Sequence, residues 1–112
     1  MEYRILGRTG IEVSAVGLGC SQIRGALPPG EKGWTGLTDE EAIANIRHAP
    51  TVGVNLIDTA EVYAYGHSED VIGQAMEGHR HEYVVATKVT PLPGADNDPF
   101  YSTDLSYSSA YQ

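Results

Sequence analysis

The chain has 112 residues, 41% of them hydrophobic, with 15 acids against 7 bases and a formal net charge of -8. That length holds one domain at most, and the apolar content excludes a disordered tail. The acidic balance argues against nucleic acid or an anionic membrane as partner. No apolar run approaches the roughly 20 residues of a membrane span. The start, Met1-Glu2-Tyr3-Arg4-Ile5-Leu6, lacks the basic head and apolar core of a signal peptide. The lone Cys20 excludes an internal disulfide and fits a reducing cytoplasm.

In chain order, Tyr3–Leu6 and Ile11–Ser14 flank Gly7-Arg8-Thr9-Gly10, which predicts a short β-hairpin turning at Thr9-Gly10. Ala15–Gly19 predicts the first buried strand, with glycines where another backbone must come close. Residues 20–37, with Pro28, Pro29, Gly30, Gly33 and Gly36, predict a long loop. Thr38-Asp39-Glu40-Glu41 is a capping box, and Ala42, Ile43 and Ile46 then follow at helical spacing. Pro50 ends that helix, since it lacks the donor for the Ile46 carbonyl and disfavours a helical Ala49. Gly53 opens a second strand, Val54–Ile57. Ser68 is the predicted N-cap of a second helix, with Glu69 and Asp70 suiting its positive end. Val71, Ile72, Ala75 and Met76 supply that helix with an apolar face, and Gly78 its C-terminal cap. Tyr83–Thr87 is the third strand. After Lys88, Pro91–Gly94 and Asn97–Pro99 predict another loop. Ser102 or Thr103 then caps a third helix, with Tyr107 and Tyr111 one turn apart. Strands alternating with helices imply an α/β fold with parallel pairing through right-handed crossovers.

In such sheets ligands sit beyond the carboxyl ends of the strands. Gly19-Cys20-Ser21 follows the first strand, Asp58 ends the second, Lys88 ends the third, and Tyr63 lies on the loop after the second. Taken singly, Asp58 reads as a turn cap, Tyr63 as a rim side chain and Lys88 as a solvated charge. Together they make a proton-transfer set. A phenol with an ordinary pKa of about 10 is a poor acid at neutral pH. A neighbouring ammonium favours its phenolate, and a carboxylate holds that ammonium charged and oriented. The result suits protonation of a carbonyl oxygen as hydride reaches its carbon. Tyr65 competes with Tyr63 for the role. His79-Arg80-His81 matches no common metal spacing and reads as a solvated helix end, so no metal is expected. Cys20 has no adjacent base and reads as a small semi-buried residue. Trp34 either lines a pocket or covers the rim.

The pieces Tyr3–Ser14, Val16–Gly19, Gly53–Ala60, Tyr63, Gly66–Glu69, Gly73 and Ala86–Lys88 resemble the aldo-keto reductase family in order and spacing, from residue 3 to about residue 90. The resemblance implies a (β/α)8 TIM barrel whose N-terminal hairpin plugs the bottom. It implies reduction of small aldehydes or ketones by NADPH, less often NADH, with an Asp, Tyr, Lys and His set. Asp58, Tyr63 and Lys88 then take the first three roles, Tyr63 being favoured over Tyr65 by its spacing from Asp58. Gly19, Cys20 and Ser21 lie toward the nicotinamide, with Asp58 also approaching the cofactor. The family's histidine follows the next strand, and none of His48, His67, His79 or His81 stands in its place. Ala64 occupies a position where the family has glycine. An eight-stranded barrel takes roughly 250 residues. Residues 1–112 are therefore expected to form an incomplete barrel: the hairpin plus about three parallel βα units, truncated before the fourth strand. The expected function is the N-terminal part of a cytoplasmic reductase, inactive by itself. The alternative is a non-catalytic interaction or regulatory piece that associates, with itself or a partner, through an open sheet edge.

Overall fold

The structure, a computed structural model, describes residues 1–23 and 36–89. Trp34, most of the first long loop, the loop after Lys88 beyond residue 89 and the third helix lie outside the described residues.

Strands β1 (Tyr3–Ile5) and β2 (Glu12–Ser14) pair antiparallel, with Tyr3 opposite Ser14. The turn needs positive φ at Gly7 (54°) and Gly10 (76°), and the Thr9 hydroxyl closes it on the Leu6 carbonyl at 2.7 Å. Strands β3 (Gly17–Gly19), β4 (Leu56–Asp58) and β5 (Val84–Ala86) form a second, wholly parallel sheet in that order. Its register sets Gly17, Leu56 and Val84 side by side, then Leu18, Ile57 and Val85, then Gly19, Asp58 and Ala86.

Helix α1 (Asp39–His48) begins as the capping box requires. Glu41 N–H donates to the Thr38 hydroxyl at 3.2 Å, and Thr38 N–H to the Glu41 carboxylate at 3.0 Å. It ends before Pro50, which lies in the first turn of a 3-10 segment over Ala49–Val52, and Gly53 reverses the chain at φ 86°. Helix α2 (His67–Ala75) buries Val71, Ile72 and Ala75, with Met76 buried just after it, as its apolar spacing predicts. Its start differs from expectation. Gly66 is the N-cap, and Ser68 lies inside the first turn, fully buried, with its hydroxyl bonded elsewhere. A buried hydroxyl goes where partners await it, and here those partners are across the core. Gly78, expected as the C-terminal cap, sits in the turn beyond Met76, which holds that position.

Both helices pack on one face of the parallel sheet. The core is Cys20, Ile23, Ala42, Ile46, Ile57, Val71, Ile72, Ala75, Met76 and Tyr83, with Leu18 and Val85 packed against it. Ile57 has no exposed surface, and truncating such a side chain to alanine costs about 2–5 kcal/mol. Two polar tethers join α1 to its neighbours. Arg47 of α1 donates to the Ala75 and Gln74 carbonyls that end α2, and the buried Tyr83 hydroxyl donates to the Ile46 carbonyl near the end of α1.

Two parts of the molecule are left bare among the described residues. The sheet face opposite the helices carries Gly17, Gly19 and Ala86 exposed, with Leu56, Asp58 and Val84 partly so. Parallel sheets are ordinarily covered on both faces. At the sheet edges, grooves of about 420 Å³ (Ile72, Met76, Val85) and about 270 Å³ (Val16, Leu18, Ala49, Val52) run between the outer strand and its helix.

Candidate active site

The pleat sends alternate side chains to opposite faces. Ile57 and Val85 face the helices, so Asp58 and Ala86 face the open side, and Lys88, two residues past Ala86, returns to it. Backbone bonds knit the strand ends into a rim: Cys20 N–H to Asp58 O at 2.9 Å, Thr59 N–H to Ala86 O at 2.8 Å, and Glu61 N–H to Lys88 O at 3.1 Å.

On this rim the Lys88 ammonium donates to Asp58 Oδ1 at 2.9 Å and to the Thr59 carbonyl at 2.7 Å. The same nitrogen lies 5.4 Å from the centroid of the Tyr63 ring. Both side chains of the ion pair remain about half exposed, at 55% for Lys88 and 48% for Asp58. The hydrogen bond that Lys88 donates to Asp58 raises the Lys88 pKa, against some desolvation, with the charge of Asp58 and then Tyr63 adding to the rise. The ammonium is therefore firmly charged at neutral pH.

Tyr63 and Tyr65 part company here. Tyr63 is partly buried beside Lys88, whereas Tyr65 is 100% exposed. Two left-handed residues, Ala64 (φ 51°) and Tyr65 (φ 55°), turn the chain between them before Gly66. Each costs about 1–2 kcal/mol for a non-glycine residue.

Of the other rim residues, Gly19 faces open space: an added Cβ would meet nothing within 4 Å. Gly17 is tighter, an added Cβ lying 3.2 Å from Leu56, so the close approach expected of these glycines holds at one of the two. The Cys20 thiol points into the core, 3.8 Å from the Leu18 carbonyl, and burial followed by the charge of Asp58 pushes its pKa up to about 11. Ser21 is partly buried. Three of the four histidines have partners other than the Asp58–Lys88 pair. His67 bonds Asp39 at 2.7 Å, His79 lies 3.6 Å from Glu82, and His48 contacts Thr51 at 3.0 Å. No group of three or more His, Cys, Asp or Glu among the described residues can hold a metal. No helix among them is long and apolar enough to cross a membrane.

Sequence reasoning missed the residues behind the rim. Thr59, 1% exposed, contacts Ser68 Oγ at 3.0 Å, and Ser68 Oγ donates to the Cys20 carbonyl at 3.2 Å. Thr87 donates to the Glu69 carboxylate at 2.6 Å. Asn55, inside the strand motif, ties the hairpin to the N-terminal end of β4 by accepting from Ser14 N–H at 2.7 Å and donating to the Glu12 carbonyl at 3.1 Å. The Tyr3 hydroxyl adds a bond to the Gly53 carbonyl at 2.8 Å. The available signal for Thr59 and Thr87 was their position one pleat from Asp58 and Lys88.

Comparison with known proteins bears on the fold and the family. A family model described as "Aldo/keto reductase family" matches residues 16–112. The chain is 39% identical over 102 residues to the aldo-keto reductase YhdN of Bacillus subtilis, covering 89% of this chain and 29% of that protein. It superposes on a holo aldo-keto reductase from Bacillus halodurans with TM-score 0.69 at 26% identity, covering 91% of this chain and 30% of that one. A Klebsiella pneumoniae aldo-keto reductase in complex with NADPH gives TM-score 0.59 at 33% identity, covering 73% and 26%. The chain spans less than a third of the length of the curated relatives it matches. Its hairpin, three parallel strands and two helices thus correspond to part of a TIM barrel, with no closed barrel of their own. The match over residues 16–112 and the agreement of sequence with structure place the chain in the aldo/keto reductase family.

Proposed function

We propose that this chain carries the Asp, Tyr and Lys of an NAD(P)H-dependent carbonyl reductase site, with Tyr63 as general acid, Lys88 as its cationic neighbour and Asp58 as the anchor of Lys88. The observation that carries the reading is the Lys88 ammonium, held by Asp58 at 2.9 Å and set 5.4 Å from the Tyr63 ring on the rim where such barrels do chemistry. A bound reduced nicotinamide dinucleotide would supply hydride to an aldehyde or ketone carbon. Tyr63 would donate its proton to the carbonyl oxygen. Lys88 would stabilise the negative charge left on the phenol, and Asp58 would keep the ammonium from swinging into solvent.

The residues present fit one side of that cofactor. Gly19 leaves open space beside Asp58, room for a flat ring, while Ser21 lies at the end of the same strand. Cys20 would contribute through its backbone position, since its thiol is buried. Structures of relatives with NADPH, such as that from Klebsiella pneumoniae, support the choice of cofactor. The lone, buried Cys20 of these residues supports a cytoplasmic setting for such a reductase.

We infer further that residues 1–112 by themselves do not turn over, because no histidine joins the set among the described residues. Titration of the purified chain with NADPH, followed by cofactor fluorescence, is expected to show no saturable binding. A micromolar dissociation constant would overturn that. In any longer form that reduces carbonyls, Tyr63→Phe should lower kcat/KM by about a hundredfold or more, while Tyr65→Phe leaves it within about twofold. The reverse result would reassign the acid. A second reading, association with itself or a partner through the sheet, is favoured by the bare face and the two edge grooves. A monomer in analytical ultracentrifugation at micromolar concentration would refute it for self-association.

A further inference from the structure

The geometry points to Ser68 and Glu69, adjacent in the first turn of α2, as positioning residues that set the Asp58–Lys88 pair from behind the sheet. The inference rests on the reading of Asp58 and Lys88 as a working pair, and it concerns how the fold holds them at 2.9 Å.

The rim residues next to the pair are both threonines: Thr59 follows Asp58, and Thr87 precedes Lys88. Because side chains alternate across the sheet, Asp58 and Lys88 meet on the open face while Thr59 and Thr87 meet α2 on the other. Each threonine is gripped by a neighbouring residue of one helical turn. Ser68 has a single hydroxyl proton, and it is given to the Cys20 carbonyl at 3.2 Å, so the Thr59 hydroxyl donates into Ser68 Oγ at 3.0 Å. Glu69 accepts from Thr87 at 2.6 Å, and its charge suits the positive end of the helix. The Thr59 grip acts directly on the site, because the Thr59 carbonyl is the second acceptor of the Lys88 ammonium at 2.7 Å. One rigid turn therefore fixes three strand ends: β3 through the Cys20 carbonyl, β4 through Thr59, and β5 through Thr87. The separation of Asp58 from Lys88 is then set by the spacing of two consecutive helical residues rather than by two loops.

The chain has two lysines, Lys32 and Lys88. A Lys32→Arg background labelled with 13C at lysine Cε thus gives one NMR signal, whose pH titration reads the Lys88–Asp58 contact without substrate or cofactor. Asp58→Asn in this background marks full loss of the pair, with the midpoint falling toward the ordinary value of about 10.4. Thr87→Val, which changes no charge at an exposed position, should lower the midpoint by about 0.5, roughly threefold in proton affinity, and Thr87→Ser should restore it. Thr59→Val should act in the same direction and serves for the Ser68 arm if Ser68→Ala does not fold. A lower melting temperature with an unmoved Lys88 midpoint in both valine variants would show that the two grips are merely structural and overturn the proposal. Since no turnover is needed, absence of reductase activity leaves this result decidable, and an unmoved midpoint leaves the NADPH titration and the tyrosine test untouched.

Discussion

The hydroxyl chain Thr59 to Ser68 to the Cys20 carbonyl makes a prediction about stability whose sign is unusual: a second mutation should partly repair the first. Ser68→Ala removes two hydrogen bonds at a site with no exposed surface. The Cys20 carbonyl keeps one donor, Ile23 N–H at 3.1 Å, so it is not stranded. The Thr59 hydroxyl, 1% exposed, has Ser68 as its side-chain partner and is left buried with its proton unbonded. A stranded buried donor costs about 1–3 kcal/mol, and the lost bond to Cys20 adds about 1 kcal/mol. Ser68→Ala should therefore cost about 2–4 kcal/mol. Thr59→Val is nearly isosteric and leaves Ser68 still donating to Cys20, so it should cost about 1 kcal/mol. In the double variant the stranded hydroxyl is gone, and the pair should be about 1 kcal/mol more stable than Ser68→Ala alone. Urea unfolding of the four proteins, followed by far-UV circular dichroism at pH 7, measures the cycle. A double variant whose cost equals the sum of the two single costs would refute the donor order from Thr59 to Ser68 to the Cys20 carbonyl.

Other consequences are as direct. Cys20, buried with its pKa at about 11, should resist iodoacetamide at pH 8 in buffer and react once urea unfolds the chain; labelling at equal rates in both would mean that the thiol is not in the core. The Lys88 pKa is raised on folding, so its pairing contributes fully below the ordinary value of about 10.4 and is lost as pH rises through the higher folded value. Because the pair is about half exposed and screened by solvent, the urea midpoint should fall only slightly across that alkaline window in the parent, and Asp58→Asn should remove that part of the fall. Gly53→Ala should destabilise by about 1–3 kcal/mol, because φ is 86° and the new Cβ would lie 2.8 Å from Met1 Cβ and 3.0 Å from the Tyr3 hydroxyl that bonds Gly53. A calorimetric melting temperature unchanged from the parent would contradict it.

How much of this was legible beforehand follows from the range of each interaction. The capping box at Thr38 and Glu41, the stop at Pro50 and the apolar face of α2 are short-range features, written within four residues, and they appear as read. The strand centres were right for the same reason, and Asp58 does end β4, although β3 begins at Gly17 rather than Ala15, β4 at Leu56 rather than Val54, and β5 spans only Val84–Ala86. Ser68 misled because its capping preference is local while its actual partners, Thr59 and the Cys20 carbonyl, are 9 and 48 residues away. A fully buried polar side chain obeys the demand for partners before it obeys propensity. Arg47 at the end of α2, Tyr83 at the end of α1 and Asn55 under the hairpin were illegible on the same ground: each satisfies a distant backbone group whose position exists only once the chain has folded.

The division between legible and illegible follows the two faces of the sheet. On the open face, Gly19, Asp58, Ala86 and Lys88 stand at or just past the strand ends, where an acid, an ammonium and a nearby phenol suggest a proton-transfer set to a reader of the sequence. On the helix face, Leu18, Ile57, Thr59, Val85 and Thr87 interleave with them residue by residue and announce nothing. Yet the open face has no cover of its own among the described residues, and both charges there are about half exposed. An exposed ion pair of that kind contributes little to stability and holds its geometry poorly when left to itself. On the positioning proposed above, the placement of Lys88 against Asp58 and Tyr63 comes from the other side, through Thr59 and Thr87. On that proposal, the residues that hold this rim in place are its silent neighbours.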